Sequence, residues 1–167
     1  MTIAPIPPIL YTKRCRLDRI ILHDMDMLRD IVEDIRFQLF LPELYELVHN
    51  DDGINQFISS FDTYAQNGDG FLWGIWKQSY LIGFVAIMDM LFDPTIFYAI
   101  HPEYRNMGYA KETVEEVVAY YKTISKKPLH TEVYPYNYAS IAVLESCRFQ
   151  VMGRKDNKIL LILQEEH

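Results

Sequence analysis

Apolar residues in the first 70 positions recur at helical spacing and predict three consecutive helices. A strand predicted over Arg14 to Leu22 precedes them, and Asp24 stands where a helix N-cap belongs. Pro42 begins a short second helix that runs to Val48, and the third helix starts at Asp51 or Asp52. The core faces are Leu28, Ile31, Val32, Ile35 and Leu39 in the first helix and Ile54, Phe57, Ile58, Phe61 and Tyr64 in the third, which ends at Asn67-Gly68-Asp69-Gly70.

The pattern then changes to strands. Phe71 to Lys77 and Leu81 to Met88 form a predicted hairpin, and Thr95 to Ile100 follows as a third strand. From Gly108 the sequence predicts an amphipathic helix that ends before Lys126-Lys127-Pro128, with Ala110, Val114, Val117, Val118, Tyr121 and Ile124 on its core face. The next strand, Leu129 to Tyr134, is expected to lie parallel to the strand before the helix, which closes a β-α-β crossover.

A helix over Tyr138 to Cys147 and two strands, around Phe149 to Met152 and over Lys158 to Leu163, complete the pattern. The stretch Ile159 to Leu163 is apolar without alternation, which is typical of a strand covered on both faces. These elements predict an α/β (α+β) fold with a mixed, mostly antiparallel sheet of six or seven strands, a central β-α-β crossover and helices on both faces. The 167 residues are predicted to form one domain, residues 1–167, with its core over about residues 14–164.

Charge and composition narrow the classes of function. A net charge of −7 with scattered Lys and Arg argues against a nucleic-acid-binding surface and mildly favours a cationic amine as ligand. The uncharged stretch Gln78 to Met88 is far shorter than the roughly 20 apolar residues of a membrane span, and Met1 to Tyr11 does not resemble a secretory signal. We therefore expect a cytoplasmic protein without membrane contact. Cys15 and Cys147 are expected to be buried free thiols, and the dispersed histidines predict no metal site.

The chemistry-bearing stretch is a strand, a proline-marked loop and then Arg105-x-x-Gly108-x-Ala110 at the start of a helix. Backbone N–H groups at such a helix start have no internal partner, and the positive end of the helix dipole lies behind them. Gly108 lets the backbone approach a phosphate, and Arg105 adds a fixed positive charge. The turn is therefore a candidate pyrophosphate site. A second pattern follows it, with Glu132, Asn137, Ser140, Leu144 and Phe149 at fixed spacing.

These two patterns, in this order, resemble the GNAT family of N-acetyltransferases, and the resemblance runs from near Leu17 to near Leu163. It is strongest for the ribosomal-protein N-terminal acetyltransferase-like branch, where the opening strand runs into an acid-started helix as Leu22-His23-Asp24 does here. The family's coenzyme motif is Arg or Gln-x-x-Gly-x-Gly or Ala. The resemblance implies that acetyl-CoA is the co-substrate.

The resemblance also implies a role for each coenzyme residue. The main chain of Ile100 and His101 pairs with the pantetheine arm, and Asn137 and Ser140 contact its far side. The pyrophosphate is held by Arg105, Asn106, Met107, Gly108, Tyr109 and Ala110. The thioester then lies in the gap where the two parallel strands splay.

Glu132 is the predicted general base, because it stands five residues before Asn137, where the ribosomal-protein alanine acetyltransferases that it resembles carry a catalytic Glu. The alternative is a Glu that pairs with a neighbouring strand's Lys or faces solvent.

Two positions depart from the family: Arg148 replaces the Gly of a Gly-Phe pair, and Leu144 replaces the Tyr that protonates the leaving thiolate in many members. Tyr134 is the candidate substitute acid, with Tyr136, Tyr138, solvent and the product ammonium as other sources; His101 is a weaker candidate for a base.

The acceptor is predicted to be a primary amine, either a protein N-terminus or a small molecule. Its pocket is expected between the early helices, residues 24–67, and the loop near Gly153 to Asn157, with Glu33, Asp34, Asp89 and Asp93 as acidic candidates. Two other functions stay open: a GNAT-fold module that binds acyl-CoA without turnover, which Leu144 favours, and an unrelated α/β protein that binds another phosphate ligand. Dimers are frequent in the family, so a homodimer is also open.

Overall fold

The computed structural model describes residues 7–165, which form one eight-stranded sheet with helices on both faces. The strands are β1 (Leu10–Tyr11), β2 (Arg16–Asp18), β3 (Phe71–Lys77), β4 (Tyr80–Met88), β5 (Thr95–Ile100), β6 (His130–Val133), β7 (Phe149–Lys155) and β8 (Lys158–Leu163). Their order is β1-β2-β3-β4-β5-β6-β8-β7, and only β5 and β6 pair in parallel. The mixed, mostly antiparallel sheet is confirmed. It has eight strands rather than six or seven, because the two-residue β1 adds an edge beside β2.

The helices are α1 (Met25–Val32), α2 (Ile35–Phe40), α3 (Pro42–Val48), α4 (Asp51–Gln66), α5 (Tyr109–Ile124) and α6 (Tyr138–Ser146). One-turn 3-10 segments precede α1 and α5, over Leu22–Asp24 and Pro102–Tyr104. None of the helices in residues 7–165 is long and apolar enough to cross a bilayer.

The first predicted helix is two helices. The carboxylate of Asp34 accepts the N–H of Phe37 and starts α2 after a break. The helical phase is lost there, so Leu28, Ile31 and Val32 are buried while Ile35 and Leu39 are 72% and 52% exposed. Asp24 also differs from the prediction, since its carboxylate accepts the N–H of Ile21 instead of capping α1.

The sheet separates two apolar layers. One layer lies between the sheet and α5 and α6, and it includes Leu17, Trp73, Val85, Ile96, Val117, Tyr121 and Leu144. The other lies under α1 to α4, and it includes Leu28, Ile31, Phe37, Phe57, Leu72, Leu81 and Phe84. Alternate residues of the central strands supply both layers. The expected double coverage of β8 is not observed, because Leu161 is buried but Leu160 and Ile162 on its other face are only partly covered.

The crossover β5-α5-β6 positions the site. In the ladder between these parallel strands, the paired residues are Thr95 and His130, the first residue of each strand. No β6 residue is registered beside the carboxyl end of β5 at Ile100. The two strands therefore diverge, and the gap opens at the carboxyl ends where α5 and α6 begin.

Candidate functional site

The turn between β5 and α5 is shaped by two residues in left-handed conformation. Asn106 has φ +61° and Gly108 has φ +84°, and Gly108 is the N-cap of α5 without a side chain to cap it. The first helical hydrogen bond runs from the N–H of Glu112 to the carbonyl of Gly108, at 3.1 Å. The three intervening residues, 109–111, therefore present N–H groups without a helical acceptor at the positive end of the helix dipole. This geometry is a cradle for an anion.

Arg14 clamps this turn from the far side, and the sequence patterns did not indicate it. Its Nη2 donates to the carbonyl of Met107 at 2.9 Å, its Nε donates to the carboxylate of Glu112 at 2.8 Å, and its guanidinium lies 3.9 Å from the ring centroid of Tyr109. A Cβ at Gly108 would lie 3.3 Å from the same Nη2. No local sequence signal relates position 14 to a turn more than 90 residues later.

Glu112 is the acidic partner within this clamp. Burial tends to raise the pKa of its carboxyl, but hydrogen bonds from Thr12, at 2.6 Å, and from Arg14 outweigh burial and lower it. The carboxylate is thus ionised and neutralised by Arg14. Without that neutralisation, its charge would oppose an anion bound one turn away.

Arg105, the predicted phosphate ligand, makes an ion pair with Asp34 at the start of α2. The distance from Nη2 to Oδ2 is 2.5 Å, and the two side chains are 22% and 13% exposed. A guanidinium has five N–H donors, so this contact leaves others for a phosphate. Arg105 therefore joins the turn to α2, which packs on the opposite layer of the sheet.

A cavity of about 380 Å³ runs from this turn to α2 through the gap beside β5. It is lined from the turn and α5 by Tyr104, Arg105, Asn106, Gly108, Tyr109, Ala110 and Lys111, from β5 by Tyr98, Ala99 and Ile100, from the α6 region by Asn137, Ala139, Ser140, Ala142 and Val143, and from the region of α2 by Arg36, Phe37, Phe40 and Leu41. Eight of the ten predicted coenzyme residues are among these, and His101 and Met107 are not. Met107 is 54% exposed, and its carbonyl is held by Arg14.

The polar groups of His101 are used within the protein. Its N–H donates to the carbonyl of Ile82 at 2.7 Å, its carbonyl accepts from Tyr104 at 2.9 Å, and its Nδ1 accepts the N–H of Glu103 at 3.1 Å. The N–H of His101 is thus engaged within the protein, and the pairing of its main chain with the pantetheine arm stays a prediction. Strand alternation instead directs the N–H and carbonyl of Ile100 away from β4, toward the gap.

Two hydroxyls meet on the cavity wall. The Asn137 side chain accepts the N–H of Ser140 at 3.3 Å and caps α6, and the Ser140 hydroxyl lies 2.8 Å from that of Tyr98. Burial raises the pKa of Tyr98 to about 12, so its hydroxyl keeps its proton at neutral pH. Tyr98 was not predicted as a site residue. The available signal was its position two residues before Ile100, on the same face of β5.

Glu132 faces the α1–α4 side of the sheet at the end of β6. Its Oε1 lies 3.5 Å from Nζ of Lys155 on β7, so Glu132 is close to a Lys as in the alternative predicted for it, although β7 is separated from β6 by β8. The same oxygen is buried and makes no hydrogen bond. Glu132 is not among the lining residues of the cavity. A carboxylate is thus present on the α1–α4 side of the sheet, outside the residues that line the cavity.

Tyr134 also lies outside the lining residues. Its hydroxyl donates to Glu43 at 2.9 Å, which raises the pKa of Tyr134, and Lys158 contacts the same carboxylate oxygen at 2.9 Å. Leu144 is 1% exposed and belongs to the core under α6, so its position carries no acid.

The other predicted acceptor elements are only partly present at the cavity. Residues of the α2 region line it, but the hairpin loop near Gly153 to Asn157 does not. Asp89 and Asp93 precede β5 and lie at the end of that strand away from the cavity, where Asp93 pairs with His130. Glu33 is exposed and is not a lining residue. Within residues 7–165, no group of three His, Cys, Asp or Glu side chains is arranged to hold a metal ion.

Comparison with known proteins identifies the fold and the family. One solved structure with the same fold is RimL, a ribosomal L7/L12 alpha-N-protein acetyltransferase in complex with coenzyme A, with a TM-score of 0.82 and 13% identity over 92% of this chain and 96% of that chain. A second is Mycobacterium smegmatis RimJ in complex with CoA-disulfide, with a TM-score of 0.77 and 16% identity over 96% of this chain and 90% of that chain. A third is a chimera of spermidine N-acetyltransferase SpeG from Vibrio cholerae with hSSAT, with a TM-score of 0.73 and 14% identity over 90% of this chain and 95% of that chain. At these identities the likeness shows the fold alone. No curated protein sequence matches the chain.

The family model described as an acetyltransferase (GNAT) domain matches residues 14–150, which is most of the chain. The matched segment contains the turn, the clamp and the cavity described above. The chain therefore belongs to the GNAT acetyltransferases, the enzymes that transfer an acetyl group from acetyl-CoA to an amine.

Proposed function

We propose that this chain binds acetyl-CoA along the cavity, with the pyrophosphate at the α5 turn, and acetylates a primary amine that enters from the α2 side. One observation carries this assignment: a single cavity joins the anion cradle of α5 to α2, on opposite layers of the sheet, through the gap between β5 and β6. The thioester belongs in that gap. The binding-module alternative has no support beyond Leu144.

The residues present fit coenzyme A. Gly108 adopts φ +84° without strain, and the N–H groups of residues 109–111 that follow it have no helical acceptor and suit phosphate oxygens. Arg105 adds a cation whose remaining donors suit phosphate oxygens. The N–H and carbonyl of Ile100 suit the amides of a pantetheine arm laid along β5 as an added strand.

In the reaction, the amine nitrogen attacks the thioester carbonyl carbon, the C–S bond breaks, the nitrogen loses a proton and the coenzyme sulfur gains one. A backbone N–H at the carboxyl end of β5 can polarise the carbonyl, and one such donor contributes on the order of 10² to 10³ in rate. Holding both reactants in one cavity supplies much of the remaining acceleration.

The proposed base is Glu132, acting through a water on the acceptor amine. Its Oε1 makes no hydrogen bond within the protein, so it can accept one from water or an ammonium group. For the sulfur, the hydroxyl pair of Tyr98 and Ser140 is better placed than Tyr134, because both hydroxyl-bearing residues line the cavity and Tyr134 is held by Glu43. The pair would donate a proton to the departing thiolate and regain one from solvent.

The partners proposed beyond acetyl-CoA are an amine acceptor and, as an open arrangement, a second copy of the chain. The acceptors named for the compared proteins include a ribosomal protein and spermidine, so the shared fold does not select one. A cytoplasmic location, one domain over residues 1–167 and no role for nucleic acid or membrane remain predictions from the sequence.

The test is calorimetric titration of acetyl-CoA and CoA into the purified protein, followed by a thiol-release assay with a panel of amines. We expect micromolar coenzyme binding and thiol release with one class of amine. The matched variant is Gly108→Glu, which puts a side chain at a position with φ +84°, adds a negative charge to the turn beside Arg14, and should abolish coenzyme binding. Retained affinity in this variant would contradict the assigned turn. Coenzyme binding without thiol release on any amine would favour the binding-module function.

A further inference from the structure

The cavity has a local charge opposite to that of the whole protein. Its lining contains three cationic side chains, Arg36, Arg105 and Lys111, and no Asp or Glu, although the net charge of the chain is −7. On the α2 side of the sheet, the carboxylates of Asp34, Glu43 and Glu132 each have a cationic partner. The pairs are Asp34–Arg105 at 2.5 Å, Glu43–Lys158 at 2.9 Å and Glu132–Lys155 at 3.5 Å. A polyamine would find no carboxylate among the lining residues of the cavity.

Arg36 is the cation of this set that has no partner. It lies on α2, lines the cavity and is exposed. By contrast with Arg105 and Arg14, its guanidinium makes no hydrogen bond, ion pair or ring contact with any residue in 7–165. A planar fork of N–H donors at a cavity wall is suited to a carboxylate, which it can bind through two parallel hydrogen bonds.

The wall around Arg36 is apolar. Phe40 follows it by one helical turn, and Phe37 and Leu41 complete this side of the cavity. Ile35 and Leu39, on the same helix, are further apolar residues that are exposed. An acceptor that lies against α2 would therefore bury apolar atoms next to its amine.

The position of Arg36 favours the acceptor over the coenzyme phosphates. Phe37, the next residue, packs edge-on against Phe84 at 6.2 Å in the α1–α4 layer. The phosphate cradle is formed by α5, which packs on the other layer. Arg36 and the cradle thus belong to opposite sides of the sheet, joined by the gap where the acetyl group is transferred.

We infer that the acceptor is a primary amine that carries an apolar group and a carboxylate, and that Arg36 binds this carboxylate and sets the specificity. The inference rests on the proposed acetyl transfer and narrows its substrate class. An amino acid and an acidic polypeptide N-terminus share this chemistry, whereas polyamines lack it. The acidic overall composition, which mildly favoured a cationic ligand, is thus overruled by the local lining.

The experiment compares pairs of acceptors in which an amide replaces the carboxylate, with rates expressed per neutral amine. Thiol release is measured with Leu-Asp-Ala amide against Leu-Asn-Ala amide, with leucine against leucinamide, and with spermidine, at saturating acetyl-CoA. We expect the acid of at least one pair to exceed its amide by about tenfold in kcat/KM, as for a hydrogen bond between charged groups. The pair that shows the difference identifies the source of the carboxylate. Spermidine should be the weakest acceptor.

Arg36→Gln should abolish the preference and leave the Kd for CoA within about twofold, since Arg36 lies outside the phosphate cradle. Arg36→Lys should retain part of it, because the charge remains but the fork is lost. The control is Arg19→Gln, a surface arginine that pairs with Asp62 at 3.3 Å and does not line this cavity. This variant should keep the full preference.

Equal rates with acid and amide in both pairs, or spermidine as the best acceptor, would overturn the inference. So would an Arg36→Gln variant that loses CoA affinity but keeps the preference. If CoA binds but no acceptor releases thiol, the proposed catalysis is wrong, and the inference is judged by titrating the peptides into the CoA-loaded protein. Tighter binding of the acidic peptide, lost in Arg36→Gln, would support it, and equal binding would reject it.

Discussion

The carboxylate oxygen Oδ2 of Asp34 accepts two hydrogen bonds, one from the guanidinium of Arg105 and one from the N–H of Phe37. The first contact reaches the coenzyme turn, and the second starts α2. One side chain thereby fixes the acceptor wall against the coenzyme side of the cavity.

Asp34→Asn separates these two contacts, because Asn caps a helix about as well as Asp but carries no charge. We expect the free energy of unfolding to fall by about 1–2 kcal/mol, since the partly buried Arg105 loses its ionised acceptor. Asp34→Ala should cost about 1 kcal/mol more through loss of the cap. A double-mutant cycle measures the coupling between the two residues. It requires chemical denaturation of Asp34→Asn, of Arg105→Gln and of the double variant. A coupling energy near zero would show that the ion pair does not stabilise the fold.

Arg14 should act on coenzyme binding and not on the chemical step. Arg14→Lys keeps a cation but cannot contact Met107 and Glu112 together, so the turn around Gly108 is held less well. We expect the KM for acetyl-CoA to rise several-fold with kcat little changed. Arg19→Lys, on the surface, is the matched control. A fall in kcat at unchanged KM would contradict a positioning role.

Glu132→Gln tests the proposed base. We expect kcat to fall by roughly 10² or more and the acidic limb of the kcat/KM profile to disappear, because the amide cannot take the ammonium proton. The Kd for CoA should not change, as Glu132 does not line the cavity. Glu46→Gln, at an exposed position of α3, is the control. An unaltered pH profile would remove Glu132 from the mechanism.

The hydroxyl pair is tested with Tyr98→Phe, Ser140→Ala and the double variant. If the pair protonates the thiolate as a unit, each single variant should lower kcat by about as much as the double variant does. Tyr134→Phe should have a smaller effect, because that hydroxyl is bound to Glu43 on the outer surface. Strictly multiplicative effects of Tyr98 and Ser140 would show that they do not share one proton.

Low pH should weaken the contact between Arg14 and Glu112 at the coenzyme turn, because the Glu112 carboxylate becomes protonated. Its folded-state pKa is lowered from the ordinary value of 4.5, so the unfolded state binds the proton more tightly. The stabilisation from this group is therefore present above about pH 4.5 and is lost as the pH falls through the lower folded-state pKa. We expect the midpoint temperature of thermal unfolding to fall less between about pH 5 and pH 3 in Glu112→Gln than in the unmodified chain. Parallel curves for the two proteins would refute this linkage.

Much of the fold was predicted because its signals are local. The strands Phe71–Lys77 and Thr95–Ile100 and the helix from Asp51 have the predicted bounds, since each combines a clear period with a start or stop residue. The break at Glu33–Asp34 was missed, because Ile35 and Leu39 continue the helical period while facing solvent. The pattern shows which residues are apolar. Whether those side chains are buried depends on which other elements pack against them.

The sequence by itself determined the anion cradle, because a left-handed Gly108 followed by a helix is a property of a few adjacent residues. The tertiary structure decided what surrounds it. The pairs Arg14–Glu112, Asp34–Arg105 and Tyr98–Ser140 join residues 98, 71 and 42 positions apart. Their partners are chosen by which strands are neighbours and which layer each helix joins, and only the packed chain fixes those relations.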